Sequence, residues 1–258
     1  MSQVWGWGCL VLWWSGLLLI LGLGGCGKVS FDTVKEDFRH MPSDLWQDSK
    51  DLVTDPVNGA ILLAGGGASG YYSCKEDNRV AHHFEGHHTF SRDFTIGVGA
   101  GGNPGTHFAL AGSAYLYGLL AEDDETRAVS RSTIEALALT GLLTTGLKLI
   151  ANNHSPNGES LAWPSGHTSS TVTLATVMNE YYGPLAGVPL YGLSGLVMYE
   201  RMETGEHWAS DVIFGAAIGY TVGKTVASKR KPEIFGMEVM PYFNPESGSS
   251  GIVLAKKF

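Results

Sequence analysis

The chain has 258 residues, 17 basic and 25 acidic, for a net charge of −8. That balance argues against a nucleic-acid partner, and the length suits one domain with a sizeable core plus an export segment. Three cysteines give no disulfide framework, and 35 glycines suit close helix packing and many turns.

Residues 1–25 carry no charge, and the apolar run from Val4 ends in Leu23-Gly24-Gly25-Cys26. This resembles a bacterial lipoprotein signal, with cleavage before Cys26 and lipidation of that residue. It implies a chain tethered to a membrane in the cell envelope, facing the periplasm. Gly27 after the cysteine points to the outer membrane. The alternative is an uncleaved transmembrane anchor, since about 20 apolar residues can span a bilayer. Cys9 leaves with the signal and Cys26 is lipidated, so Cys74 stands alone.

Downstream, Pro42-Ser43 precedes a short amphipathic helix, DLWQDSKDLV. Asp55-Pro56 caps a second helix, VNGAILLAG, which the Gly65–Gly70 run is expected to end. His82, His83, His87 and His88 surround Glu85. The pair His83 and His87 has metal-ligand spacing on a helix, but Gly86 interrupts it, and an exposed loop or lid is the better reading. The stretch DFTIGVGAGGNPG reads as a loop without a Gly-Lys-Ser/Thr phosphate pattern. A core helix follows from Thr106, then a long helix from about Thr126 to Ile150 opened by Glu122, Asp123, Asp124 and Glu125. Asn157-Gly158 marks a turn before two further helices, 168–182 and about 185–203, and a last one from near His207. The segments MEVMPYF and GIVLAKKF around NPESGSS suggest a β-hairpin. The expected division is therefore a signal at 1–25, a helical domain at 26–230 and a hairpin extension at 231–258.

The candidate chemistry lies between Lys148 and Asp211. His207 and Asp211 are i, i+4, so on a helix the carboxylate can fix the imidazole tautomer and leave the other ring nitrogen free. Pro164-Ser165-Gly166-His167 precedes a helical run, and a helix start with a glycine offers N–H groups to an oxyanion. Lys148 and Arg201 can neutralise the oxygens that carry charge in phosphoryl transfer. Taken singly, each residue has a bland reading as a cap, a surface charge or a structural hydrogen bond.

The ordered combination resembles the type 2 phosphatidic acid phosphatase superfamily, whose signature is K-x6-R-P, then P-S-G-H, then S-R-x5-H-x3-D. Here six residues separate Lys148 from Ser155-Pro156. Pro164 to His167 match fully. Glu200-Arg201 is followed at the family spacing by His207 and Asp211. The resemblance implies an all-α helical bundle of the acid phosphatase/vanadium haloperoxidase type. It implies His207 as nucleophile, Asp211 as its orienter and His167 as general acid. Lys148, Ser165, Gly166 and Arg201 would hold the phosphate, with no metal and no cofactor; vanadate enters only if the chain is haloperoxidase-like. Ser155 stands where the family has arginine and Glu200 where it has serine. Ser155 and its neighbour His154 are candidates for the place of the missing cation.

The implied activity is hydrolysis of a phosphomonoester or a lipid phosphate in the envelope. A haloperoxidase and a catalytically weakened binding or scaffold protein are the other readings. Mean hydropathy is +0.03. Thr140, Thr144, Thr145, Ser169, Ser170, Thr171 and Thr173 interrupt the apolar runs. No segment after the signal is therefore expected to reach the membrane-spanning threshold.

Overall fold

The computed structural model describes residues 31–230 and the strand segments 233–234, 237–244 and 249–255. Residues 1–25 and Cys26 lie outside the described residues. The fold is an all-α bundle. Its elements are α1 (Phe31–Phe38), α2 (Met41–Thr54), α3 (Pro56–Lys75), α4 (Asp77–Phe84), α5 (Arg92–Gly102), α6 (Pro104–Leu120), α7 (Asp124–Ala151), α8 (Gly166–Tyr182), α9 (Pro184–Glu203) and α10 (Ala209–Arg230). Strands β1 (Glu233–Ile234), β2 (Met237–Asn244) and β3 (Ser249–Ala255) follow as an antiparallel sheet in the order β1-β2-β3. Asn244 pairs with Ser249 at one end of the β2–β3 ladder and Glu238 with Ala255 at the other.

Helix starts follow their local chemistry. The Asp55 carboxylate accepts from the N–H groups of Val57 and Asn58, Ser91 caps α5, Asn103 caps α6 and Asp123 caps α7. Each satisfies N–H groups that a first turn leaves without an intrahelical partner.

The structure corrects two expectations about glycine. Helix α3 runs through Gly65–Gly70 to Lys75 rather than ending there, and 93–102 is helix rather than loop. In both places the missing side chain lets another helix approach. A Cβ on Gly65 would stand 2.6 Å from that of Ala217, and one on Gly102 would stand 2.6 Å from Val197 Cγ1. The close packing of the two backbones offsets the low helix propensity of glycine. His82 and His83 likewise belong to α4 rather than to a loop. His82 Nδ1 lies 2.9 Å from the Glu85 carboxylate, and the rings of His83 and His87 stack.

Helices α8 and α10 form the centre and run in the same direction. Gly215, Gly219 and Gly223 of α10 lie in turn against Ser165 and Thr168, then Ser169 and Val172, then Thr173 and Thr176 of α8. Small residues four apart on one helix face make this approach possible. The apolar core is completed by Leu52, Ala136, Leu139, Val177, Ile218, Val222 and Val226.

The hydroxyls that interrupt the apolar runs, Thr145 excepted, are buried rather than turned to solvent. Thr173, Thr176, Thr221 and Thr225 each donate to the carbonyl four residues earlier, and Thr140 meets Thr173 at 2.8 Å. Such back-bonding lets a hydroxyl be buried without losing its partner. The outward faces of the helices keep apolar residues, among them Leu63, Leu142, Leu149, Ile150, Leu185 and Val188. The expectation that no segment reaches the spanning threshold is overturned for α7. It is long and apolar enough to cross a membrane, by length and composition.

At the end of α10, Arg230 and Lys229 close a buried charge network. Arg230 Nε meets Glu135 at 2.6 Å and Arg230 Nη1 meets Asp48 at 3.1 Å, while Lys229 reaches Asp48 at 2.8 Å and also Asp51. Burial raises the pKa of Glu135 against the opposing pull of Arg230 and Arg131.

Candidate active site

The site is assembled at one end of the bundle, where α8 and α10 begin and α7 and α9 end. His207 does not sit on the α10 helix face, as the i, i+4 spacing suggests; it lies two residues before the helix. The contact is kept by a helix-entry turn. Asp211 Oδ2 lies 3.2 Å from His207 Nδ1 and accepts from the Trp208 N–H at 3.0 Å. Asp211 is fully buried and His207 nearly so. With Nδ1 turned to the carboxylate, Nε2 is the ring nitrogen left for chemistry.

The Pro-Ser-Gly-His turn is fastened to the same place. The Ser165 N–H donates to the Asp211 carbonyl at 3.1 Å, and the Ser165 hydroxyl caps α8 by accepting from the Thr168 N–H. A Cβ on Gly215 would stand 2.8 Å from the Ser165 carbonyl, so the two helix starts are held together by a contact with no spare room. Both N-terminal ends direct their positive dipoles into the same volume.

His167 is the most perturbed group. Burial pushes its imidazole pKa down to about 3, and the charges of Arg201, His207, His107 and Lys148 push the same way. It is neutral in the free protein at ordinary pH. Lys148, in the last turn of α7, has its pKa lowered by burial, while Asp211 draws it back up. Its ammonium donates to the carbonyls of Leu161 and Ala162, the latter at 2.9 Å, so it also ties down the strand of loop entering the Pro-Ser-Gly-His turn.

Arg201 is buried at the end of α9, and each of its three guanidinium nitrogens has a carboxylate partner. Glu200 takes Nε at 2.5 Å and Nη2 at 2.6 Å, and Glu206 takes Nη1. Burial opposes the charge of Arg201, but the two carboxylates outweigh it and hold the guanidinium pKa above its ordinary value. A polar cleft of about 440 Å³ opens here, lined by Thr95, Ile96, Gly99, Asn103, His167, Glu200, Arg201, Thr204 and Glu206.

Ser155 and His154 are placed differently. The Ser155 hydroxyl is buried in its own turn, donating to Asn157 Oδ1 at 2.5 Å and accepting from the Glu159 N–H at 3.0 Å. His154 offers its carbonyl to Trp208 Nε1 at 2.7 Å and pairs with Ser160 in a bridge. Of the motif residues, His167 and Arg201 line the cleft, whereas His207, Lys148, Ser155 and His154 do not.

Several contributors carry no sequence signal. Asp77 accepts from both the N–H (3.0 Å) and the hydroxyl (2.5 Å) of Ser210, bracing the first turn of α10. Ser69 donates to the Ser210 carbonyl and accepts from Trp163 Nε1, and the Trp163 ring stacks on Phe214 at 4.8 Å. His107 is buried behind His167, with Nδ1 at 3.0 Å from the Ser170 hydroxyl. Glu206 differs from these in being next to a motif position, and its charge alone marks it.

The sequence profile of the PAP2 superfamily matches residues 129–233. The segment holds α7 through α10 with Lys148, the Pro-Ser-Gly-His turn, Arg201, His207 and Asp211, whereas Asp77, Ser69, Gly99 and His107 come from outside it. The chain is similar to a lipid A 1-phosphatase of Porphyromonas gingivalis, with 34% identity over 92 residues, which is 34% of this chain and 21% of that protein. It thus spans about a fifth of the length of this curated relative. Among solved structures it is similar to LpxE of Aquifex aeolicus, with a TM-score of 0.51, 22% identity and coverage of 59% of this chain and 94% of that one. That likeness shows a shared fold. A transmembrane PAP2-type phosphatidylglycerolphosphate phosphatase from Bacillus subtilis aligns with a TM-score of 0.40 at 15% identity, over 74% of this chain and 96% of that one.

Proposed function

We infer that the chain is a phosphate-ester hydrolase working through a phosphohistidine, on a lipid phosphate or related phosphomonoester at a membrane. One observation carries this reading. The His207–Asp211 pair, His167, Lys148 and Arg201 converge where two helix N-termini meet.

In this reading His207 Nε2 attacks phosphorus and the ester P–O bond breaks. The leaving oxygen takes a proton from His167, while Asp211 holds the Nδ1–H and steadies the imidazolium. Water then attacks the phosphohistidine with its proton going to neutral His167, the P–N bond breaks, and inorganic phosphate leaves. Lys148, Arg201 and the backbone N–H groups at Gly166 and His167 face the equatorial oxygens.

His167 can donate only if the bound phosphate raises its pKa, because negative charge favours the imidazolium. The expected result is a His167 ring resonance that stays flat between about pH 4 and pH 8 in the free protein and titrates inside that range with vanadate bound. A flat resonance in both states would remove His167 as the acid.

A lipid substrate is favoured by the apolar rim. Phe94 and Ile96 on α5, and Leu149 and Ile150 beside Lys148, are exposed at the site end. The name of the Porphyromonas gingivalis relative points the same way. The leader ending at Cys26 would supply a lipid tether in the envelope, facing the periplasm and placed at the outer membrane. A second reading, weakened chemistry or a binding role, draws on Ser155, whose hydroxyl is spent on its own turn where the family has arginine.

Hydrolysis by the full-length protein in detergent separates these readings, with p-nitrophenyl phosphate and a short-chain phosphatidate as substrates. Phosphate release from both, faster from phosphatidate, is the expected result. Release from neither by folded protein would end the hydrolase reading.

A further inference from the structure

Among the described residues, Arg201 is the one cation lining the cleft beside His167, and it already has anionic partners. Glu200 binds it edge-on through two nitrogens, which is the geometry a phosphate would use. Gly99 closes the side of Nη2, where an added Cβ would stand 2.6 Å away. The remaining nitrogen, Nη1, is held by Glu206. Each guanidinium nitrogen thus already has a carboxylate partner, and a phosphate approaching it competes with one of them.

The two carboxylates are not equally free to do so. Glu200 is buried with 1% of its side chain exposed, whereas Glu206 is 39% exposed and lines the cleft. Glu206 also sits on a loop that turns at Gly205 (φ 69°), and the N–H groups of both Glu206 and His207 donate to the Arg201 carbonyl at 3.1 Å. The backbone beside the nucleophile is therefore fixed, while the Glu206 side chain can swing into solvent without disturbing it.

We propose that Glu206 is an internal competitor of phosphate, occupying Arg201 Nη1 in the free protein and yielding it only to a bound phosphate group. This rests on the hydrolase reading and extends it to specificity and product release. A phosphate that takes Nη1 must displace Glu206, so a ligand whose only contacts are ionic binds weakly. An ester whose alkyl part also covers Ile96 and Phe94 has an additional source of binding. Inorganic phosphate, the product, has none and leaves.

The test is calorimetric titration of inorganic phosphate into wild type, Glu206→Gln and Glu206→Ala. Phosphate release from short-chain phosphatidate and thermal melts are measured on the same preparations. Both variants alter a half-exposed loop side chain, so melting temperatures should stay close to wild type. The expected result is phosphate binding about tenfold tighter in both variants, which corresponds to about 1.4 kcal/mol, with stronger product inhibition of turnover. Unchanged or weaker phosphate binding in the folded variants, beside a wild type that hydrolyses phosphatidate, overturns the competitor role and leaves the hydrolase reading standing. Neither binding nor hydrolysis in wild type and both variants overturns the two together.

Discussion

Replacing His207 with alanine is expected to lower phosphate release by about 10⁴-fold or more, with little change in the melting temperature. The imidazole is the only group in the cluster with a ring nitrogen both free and backed by a buried carboxylate, so no neighbour can take its place. His167 is held neutral but is caught among four positive or ionisable groups, and His107 is spent on Ser170. Asp211 should survive the change as a structural group, because it still accepts from the Trp208 N–H. Stopped-flow and steady-state phosphate release on wild type and His207→Ala check this. Turnover within tenfold of wild type would show that another group attacks phosphorus.

Replacing Arg230 with alanine is expected to cost about 3–5 kcal/mol of stability at neutral pH. The change leaves the Glu135 carboxylate, 1% exposed, without its partner at 2.6 Å; Arg131 at 3.8 Å is the remaining cation. The pH dependence follows from the direction of the Glu135 shift. Its folded-state pKa is raised by burial, and removing Arg230 raises it further. The folded variant therefore binds a proton that the unfolded chain has already released, and its stability falls as pH rises through the window above the unfolded carboxyl pKa. The deficit relative to wild type should shrink in acid as Glu135 protonates. Chemical denaturation at several pH values measures this, and a deficit that is constant or grows in acid would contradict it.

Much of the fold was legible from spacing alone. The helices from Pro104 to Arg230 carry caps and breaks where their ends fall: Asp123 before α7, Ser165 before α8, Gly183-Pro184 before α9. What misled was glycine. Local propensity reads Gly65–Gly70 and 93–102 as breaks, but tertiary contact decides there, since Ala217, Val197 and Arg201 occupy the space a side chain would need. Hydroxyls misled in the opposite way. In a linear reading they dilute hydropathy, whereas in the helix most of them satisfy themselves on carbonyls three or four residues back and are buried, so α7 keeps an apolar exterior. The Lys148–Asp211 residues could be named because their order and spacing are specific. Asp77, Ser69 and His107 could not, since they meet the site only through long-range folding and obey no local pattern. Glu200 could be seen to depart from the family serine, but its two-point grip on Arg201 needed coordinates.

The glycine-to-backbone contacts between α10 and α8 have a consequence for how this protein can be altered. Gly215, Gly219 and Gly223 fix the two reactive corners to each other with no slack, so the interval between His167 and His207 is a constant of the scaffold. The cleft wall made by Thr95, Ile96 and Gly99 comes from α5, outside the matched segment, and carries none of the groups proposed to act on phosphorus. In the proposed reading, chemistry and recognition are thereby built on separate parts. A library confined to Thr95 and Ile96 of α5 should redirect which esters are accepted while the reacting groups keep their alignment, and one directed at the glycine seam should yield mostly inactive proteins.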